Sequence, residues 1–182
     1  MPSADAGAKD AESNVVNVDE PMMFGTAETF LAFFRSHPER LQDRHVLVGK
    51  VTEYDSERVE NGVAITSFDY AIVRVVELLP TKAPPPAAPF RTEFPVVDMT
   101  DVQLVGGGEG IVPAKEWWSL FKRANVGKTF VFVASLPMEK SFAETSGFVP
   151  KRVLDRFGRK TPGITAVFPI TSLDEFRAFV AK

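Results

Sequence analysis

A mainly β, α+β domain behind an acidic tail is the fold class that this sequence predicts. Three observations carry the prediction. The longest apolar segments, 45–54, 63–79 and 129–136, are rich in Val, Ile, Thr, Phe and Tyr, which fit a pleated, half-buried surface. The first two are joined through Glu60-Asn61-Gly62, and Asn-Gly accepts the positive backbone angles that a tight hairpin turn requires. Helical periodicity is confined to short stretches at the two ends and in the middle of the chain. At 182 residues the chain suits one domain and can bury a sizeable core.

Residues 1–20 hold Asp5, Asp10, Glu12, Asp19 and Glu20 against Lys9 alone, with few large apolar side chains. Such a segment cannot offset its ordering entropy, so it reads as a disordered acidic tail, with residues 21–182 as a single domain. Thr26 can cap a helix running to about Ser36, with Glu28 in its first turn and Phe30, Leu31, Phe33 and Phe34 on one face. Pro38 ends that helix or opens another turn. His45 to Tyr54 reads as a strand, and Val63 to Leu79 as a longer one. Phe68, Tyr70 and Ile72 give way to Val73 and Val75 there, a change of phase that predicts a bulge near Val73.

Pro80 to Pro89 is a polyproline-like insertion without a core of its own. Phe94–Val97 and Asp101–Val105 read as short strands, followed by the flexible link Gly106 to Gly110. Pro113 opens a helix to about Ala124, with Trp117, Leu120, Phe121 and Ala124 at core spacing. Thr129 to Leu136 is the clearest buried strand; Phe130 and Phe132 alternate with Val131 and Val133, so the two pairs must face opposite sides. Pro150 starts a short helix over Lys151 to Phe157, and Ile164 to Phe168 is the last strand. Ser172 with Glu175 makes a capping box for a terminal helix that turns Leu173, Phe176 and Val180 inward.

Residues 45–168 in this order resemble an OB-type domain, a five-stranded barrel with a helix between strands 3 and 4. The phrases Val48-Gly49-Lys50-Val51, Val73-Arg74-Val75-Val76-Glu77-Leu78-Leu79 and Gly127-Lys128-Thr129-Phe130-Val131-Phe132 are similar to phrases in OB-fold-like domains of bacterial secreted proteins. The resemblance implies the barrel, and no functional residue. The insertion at 80–89 and the flanking N- and C-terminal helices depart from it.

Composition excludes several chemistries. The absence of cysteine removes disulfides, thiolate nucleophiles and thiolate metal sites, and His37 and His45 alone cannot build a His-rich centre. A net charge of -3 argues against a protein whose main task is gripping phosphate backbones. Sixteen Phe against two Trp and two Tyr point to core filler, since Phe has no polar handle. No uncharged apolar run spans a bilayer, and the first residues have neither a basic nor an apolar signal region. The Ser-Ala-Asp-Ala-Gly start resembles the tethers of bacterial envelope lipoproteins. The expected location is therefore the cell envelope or outside the cell, with a lipid tether if an upstream signal was removed; cytoplasm is the alternative.

Candidate sites are few. Gly127-Lys128-Thr129 has the tail of a phosphate-binding loop, but position 122 is Lys, a helix precedes it and a strand follows, so Gly127 reads as a helix terminator. Asp98 and Asp101 suit a turn. No pairing of carboxylates, catalytic triad, metal or cofactor site emerges, and no catalytic residue is assigned. Trp117 and Trp118 point about 100° apart on a helix, so Trp118 leaves the core face, either to lie half-buried under the Pro-rich insertion or to join Lys122 and Arg123 at the surface. With Arg91, at the end of the Pro-rich insertion, these form the predicted partner-binding surface. Lys151, Arg152, Arg156, Arg159 and Lys160 make a basic segment, which a solvated helix face explains and which could also meet phosphates, lipid headgroups or an acidic partner. The expected function is a non-catalytic binding or assembly module for another macromolecule, a protein first. A single-stranded nucleic-acid or oligosaccharide binder is the alternative, and a hydrolase with an unrecognised site the third reading.

Overall fold

The computed structural model describes residues 26–41, 44–60, 65–82, 92–98, 115–141, 149–158 and 160–182. The strands are β1 (Arg44–Glu60), β2 (Ile65–Leu78), β3 (Glu93–Val97), β4 (Thr129–Ser141) and β5 (Lys160–Pro169). The helices are α1 (Ala27–Ser36), the single turn α2 (Pro38–Leu41), α3 (Lys115–Leu120), α4 (Lys151–Phe157) and α5 (Leu173–Val180). All pairings are antiparallel, in the order β3-β2-β1-β4-β5, and the chain is mixed α+β with strand dominant. The edge strands β3 and β5 approach to Cα separations within 8 Å without a hydrogen-bonded ladder among the described residues, so the sheet is not closed. The acidic tail, Asn61-Gly62, Arg91, the predicted strand 101–105 and the glycine link 106–110 lie outside the described residues.

Both sheet faces are covered, which is why the strands read as nearly continuous apolar runs. On one face Leu47, Val51, Val73, Phe94, Phe130 and Phe132 pack with Trp117, Leu120 and Phe121 of α3 and its C-terminal turn. On the other face, near β4 and β5, Val46, Val131, Val133 and Phe168 meet Phe30, Leu31 and Phe34 of α1 and Phe176 of α5. Farther along that face Phe68, Tyr70, Ile72 and Val97 meet Val149, Val153 and Phe157 around α4. The expected division of Phe130 and Phe132 from Val131 and Val133 is therefore present. The apparent phase change at Val73 has a different cause from the one expected. Alternation in β2 is unbroken there; Phe68, Tyr70 and Ile72 face α4 while Ala71 and Val73 face the opposite core. Two bulges flank this level. Val76 is the extra residue of β2, between the pairs Val48–Glu77 and Gly49–Val75 and three residues from the predicted position. Thr52 is the extra residue of β1, between Val51–Val73 and Glu53–Ile72. Thr52 Oγ1 donates to the Ile72 carbonyl across this second bulge at 3.2 Å.

Helix α1 starts where the sequence places it. Thr26 is extended (φ -138°, ψ 157°) and its Oγ1 accepts the Thr29 amide at 3.2 Å. The middle helix ends earlier than its apolar spacing predicts. Asn125 Nδ2 donates to the Ser119 carbonyl at 2.8 Å, Lys122 is extended, and residues 123–125 form a 3-10 turn that exposes Ala124. Gly127, at φ +92°, then reverses the chain into β4, which only glycine does without strain. The capping box at Ser172 does not form. A 3-10 turn at 170–172 puts Ser172 in helical backbone, and its Oγ donates to the Pro169 carbonyl at 2.6 Å instead.

One buried group couples the fold to pH. His45 is 2% exposed, its Nε2 has no partner among the described residues, and burial lowers its pKa below the ordinary value. A lowered histidine pKa means that the unfolded chain takes up the proton first. Stability is then full above the unfolded pKa of about 6.5 and falls as pH drops through and below it. The thermal midpoint is expected to decline between about pH 7 and pH 5, and His45→Phe to decline less over that interval. Equal slopes in parallel melts would show that His45 is not the group responsible.

Candidate site at the open edge of β1

β4 pairs with β1 only from Arg44 to Lys50, so beyond Val51 β1 has a ladder partner among the described residues on one side alone, β2. The Thr52 bulge changes the alternation of β1 at the same place. Before it, Val46 and Val48 face outward with Val131 and Val133; after it, Glu53, Asp55 and Glu57 stand opposite Ile72, Tyr70 and Phe68 on the face toward α4. One extra residue thus aims three carboxylates at a basic helix.

The helix is held by those carboxylates. Arg152 Nη1 donates to Asp55 Oδ2 at 2.6 Å. Arg156 donates to Glu53 Oε1 at 2.7 Å and to Glu93 Oε2 at 3.0 Å, and Arg74 takes the other Glu93 oxygen at 2.9 Å. Arg74 and Arg156 hold the Glu93 carboxyl below its usual pKa. Pro150 cannot cap α4 with its side chain; Glu57 does so from across the sheet, accepting the Lys151 amide at 3.0 Å and the Arg152 amide at 3.2 Å. Lys151 pairs with Asp155 one turn on, at 2.5 Å. The helix itself falls where the sequence predicts, Lys151–Phe157, closed by Gly158 at φ +71°.

Between β1, α4 and the 3-10 turn lies an open depression of about 460 Å³. Tyr54, Tyr70, Arg123, Val126, Arg152 and Arg156 line it, together with Glu53 and Asp55. It contains both tyrosines of a chain that otherwise uses Phe and Trp as its aromatics. Tyr54 donates its hydroxyl to Asp69 at 3.3 Å. Burial, first, and the nearby carboxylates raise both tyrosine pKa values, so both hydroxyls remain protonated donors near neutral pH.

The structure therefore brings Arg123, from one predicted surface, into the same depression as Arg152 and Arg156, from the other. Lys122 is exposed beside Arg123. Neither Lys122 nor Arg123 makes an ion pair among the described residues; Arg123 acts on Tyr54 through its charge alone. Val126 next to them is 40% exposed. Arg91, Arg159 and the side chains of Trp118 and Lys160 lie outside the described residues. The sequence reading missed the carboxylates Glu53, Asp55 and Glu57. Their period of two within a strand, set against Arg152 and Arg156 at helical spacing, is the signal that would have found them.

Among the described residues no group of three or more metal-ligating side chains comes together, and no helix is long and apolar enough to cross a membrane. No family model, curated protein or solved structure matches the chain.

Proposed function

We propose that this chain is a non-catalytic, protein-binding module whose contact surface is the open edge of β1 with Arg123, Lys122 and Val126. The observation that carries the reading is a contrast within one depression. Arg152 and Arg156 are matched by the chain's own carboxylates, whereas Arg123 has no ion-pair partner among the described residues and stands beside an exposed valine. An apolar residue with a cation at its rim, over a strand edge with no ladder partner among the described residues, suits a partner that supplies an acidic side chain and a β-strand. Glu53, Asp55, Glu57 and Glu93 are all engaged by arginines or helix amides, which speaks for binding rather than acid–base chemistry.

The OB-type reading of the fold belongs to the same proposal. The strand order β3-β2-β1-β4-β5, the helix between strands 3 and 4 and the approach of the two edges are what such a barrel requires. Placement in a bacterial cell envelope is supported by the tail composition alone.

The test combines Arg123→Glu with Val126→Ser, both at the surface, so the thermal midpoint should stay within about two degrees. Recovery of a partner by crosslinking and affinity capture from the native host should fall at least about tenfold, the size of a 1.4 kcal/mol loss. Unchanged recovery would sink the assignment. Single-stranded DNA or RNA should show no measurable binding at physiological salt by fluorescence anisotropy. Salt-sensitive binding, abolished by reversing Lys151, Arg152, Arg156, Arg159 and Lys160, would put the nucleic-acid reading first.

A further inference from the structure

A second cavity, of about 450 Å³, lies at the other end of β1, between the C-terminal ends of α1 and α5 and the chain leaving β2. Its size is within the roughly 300–1,000 Å³ usual for small-ligand sites. Phe34, Pro38 and Phe179 supply apolar walls, and Thr81 Oγ1, donating to the Arg44 carbonyl at 3.1 Å, fixes the exit of β2 at its side. Three cationic side chains, Arg35, Lys82 and Lys182, line it together with one carboxylate side chain, Glu175.

The charge pattern is unusual for this chain. Arg74, Arg152, Arg156 and Arg177 each hold a carboxylate, in a protein of net charge -3. Arg35 and Lys82 hold none among the described residues. The partial negative charge at the end of α1 accounts for a cation at Arg35. It does not account for Lys82, which belongs to no helix. An apolar cavity with unmatched cations at its mouth is complementary to an apolar tail carrying an anionic head.

We propose that this cavity binds an amphiphilic carboxylate, such as a medium-chain acyl acid, with the hydrocarbon against Phe34 and Phe179 and the carboxylate at Arg35 and Lys82. The site is separate from the β1 edge, and the two proposals stand or fall independently. Isothermal titration calorimetry of the full chain with decanoate should give a saturable heat. Octanoate should bind roughly tenfold more weakly, as the loss of two buried methylenes implies. Decanol and decyltrimethylammonium should each be at least about tenfold weaker than decanoate, a difference of about 1.4 kcal/mol. Arg35→Gln with Lys82→Gln should lower decanoate affinity and leave decanol unchanged. Ala178→Trp, at an exposed position on the wall, should block both ligands without altering the fold. Absence of decanoate binding, equal binding of the alcohol or the cation, or decanoate binding that survives Ala178→Trp would overturn the proposal.

Discussion

Truncation of Phe132 to Ala is expected to destabilise the protein by about 3–5 kcal/mol, the range for removing a fully buried aromatic ring and leaving a cavity. Phe132 is 0% exposed and central on β4, opposite Leu47 on one side and Val167 on the other. Its ring meets Phe94 edge-on at 5.8 Å and Phe130 at 6.4 Å, so it joins β3 and β4, strands that never pair. Collapse cannot fill the space, because the neighbouring positions belong to three different strands and to α3. Urea titration measures the effect as a lower midpoint at unchanged slope. A loss below about 1 kcal/mol would mean that this core is not packed as described.

The second large effect concerns the residue beneath that ring. Gly49 is buried in β1, and a Cβ added there would run into Cγ1 of Val73 and come to 2.8 Å from Cε2 of Phe132. The glycine is needed for space, because its backbone is not in the left-handed region. Gly49→Ala should cost about 2–3 kcal/mol by overpacking, despite the better strand propensity of alanine. Combining it with Val73→Ala removes the nearer clash, so the double variant should lose less than the sum of the two single changes. Strict additivity in denaturant titrations would show that the two side chains do not compete for this space.

Much of the architecture was legible because its signals are local. Thr26, Pro150 and Gly158 sit at element boundaries and act within a few residues of themselves, Thr26 through its hydroxyl and the other two through their backbones, so α1 and α4 fall within a residue of their expected limits. Strand ends were less legible. β1 runs past Tyr54 to Glu60 and β4 past Leu136 to Ser141 because partners across the ladder hold them, and the polar stretches they cross carry no strand signal of their own. The bulge predicted near Val73 lies three residues on, at Val76, whereas the change of apolar phase at Val73 itself reflects two covered faces, which only the tertiary structure reveals. Ser172 failed as a cap because the turn at Pro169 had already made its backbone helical. The site was half legible. Arg123, Arg152 and Arg156 stood out as charges, but their different status depends on Glu53, Asp55 and Glu93, about 100 residues from α4 in two of the three pairs and turned toward it by a bulge.

The seam between β1 and β4 has a kinetic consequence. It consists of seven residue pairs, Arg44–Ser135 to Lys50–Thr129, and among the described residues it is the one ladder joining the β1-β2-β3 meander to the β4-β5 hairpin. Each half closes over a short stretch of chain, whereas the seam closes a loop of about 80 residues and carries the entropy of doing so. The halves can therefore gain structure early and join late, so side chains at the seam contribute little to the folding transition state. Phe132→Ala would then act mainly by speeding unfolding, with the refolding rate nearly unchanged. In the native state, amide exchange of residues 44–50 and 129–135 would rise together, as one cooperative opening of the two halves.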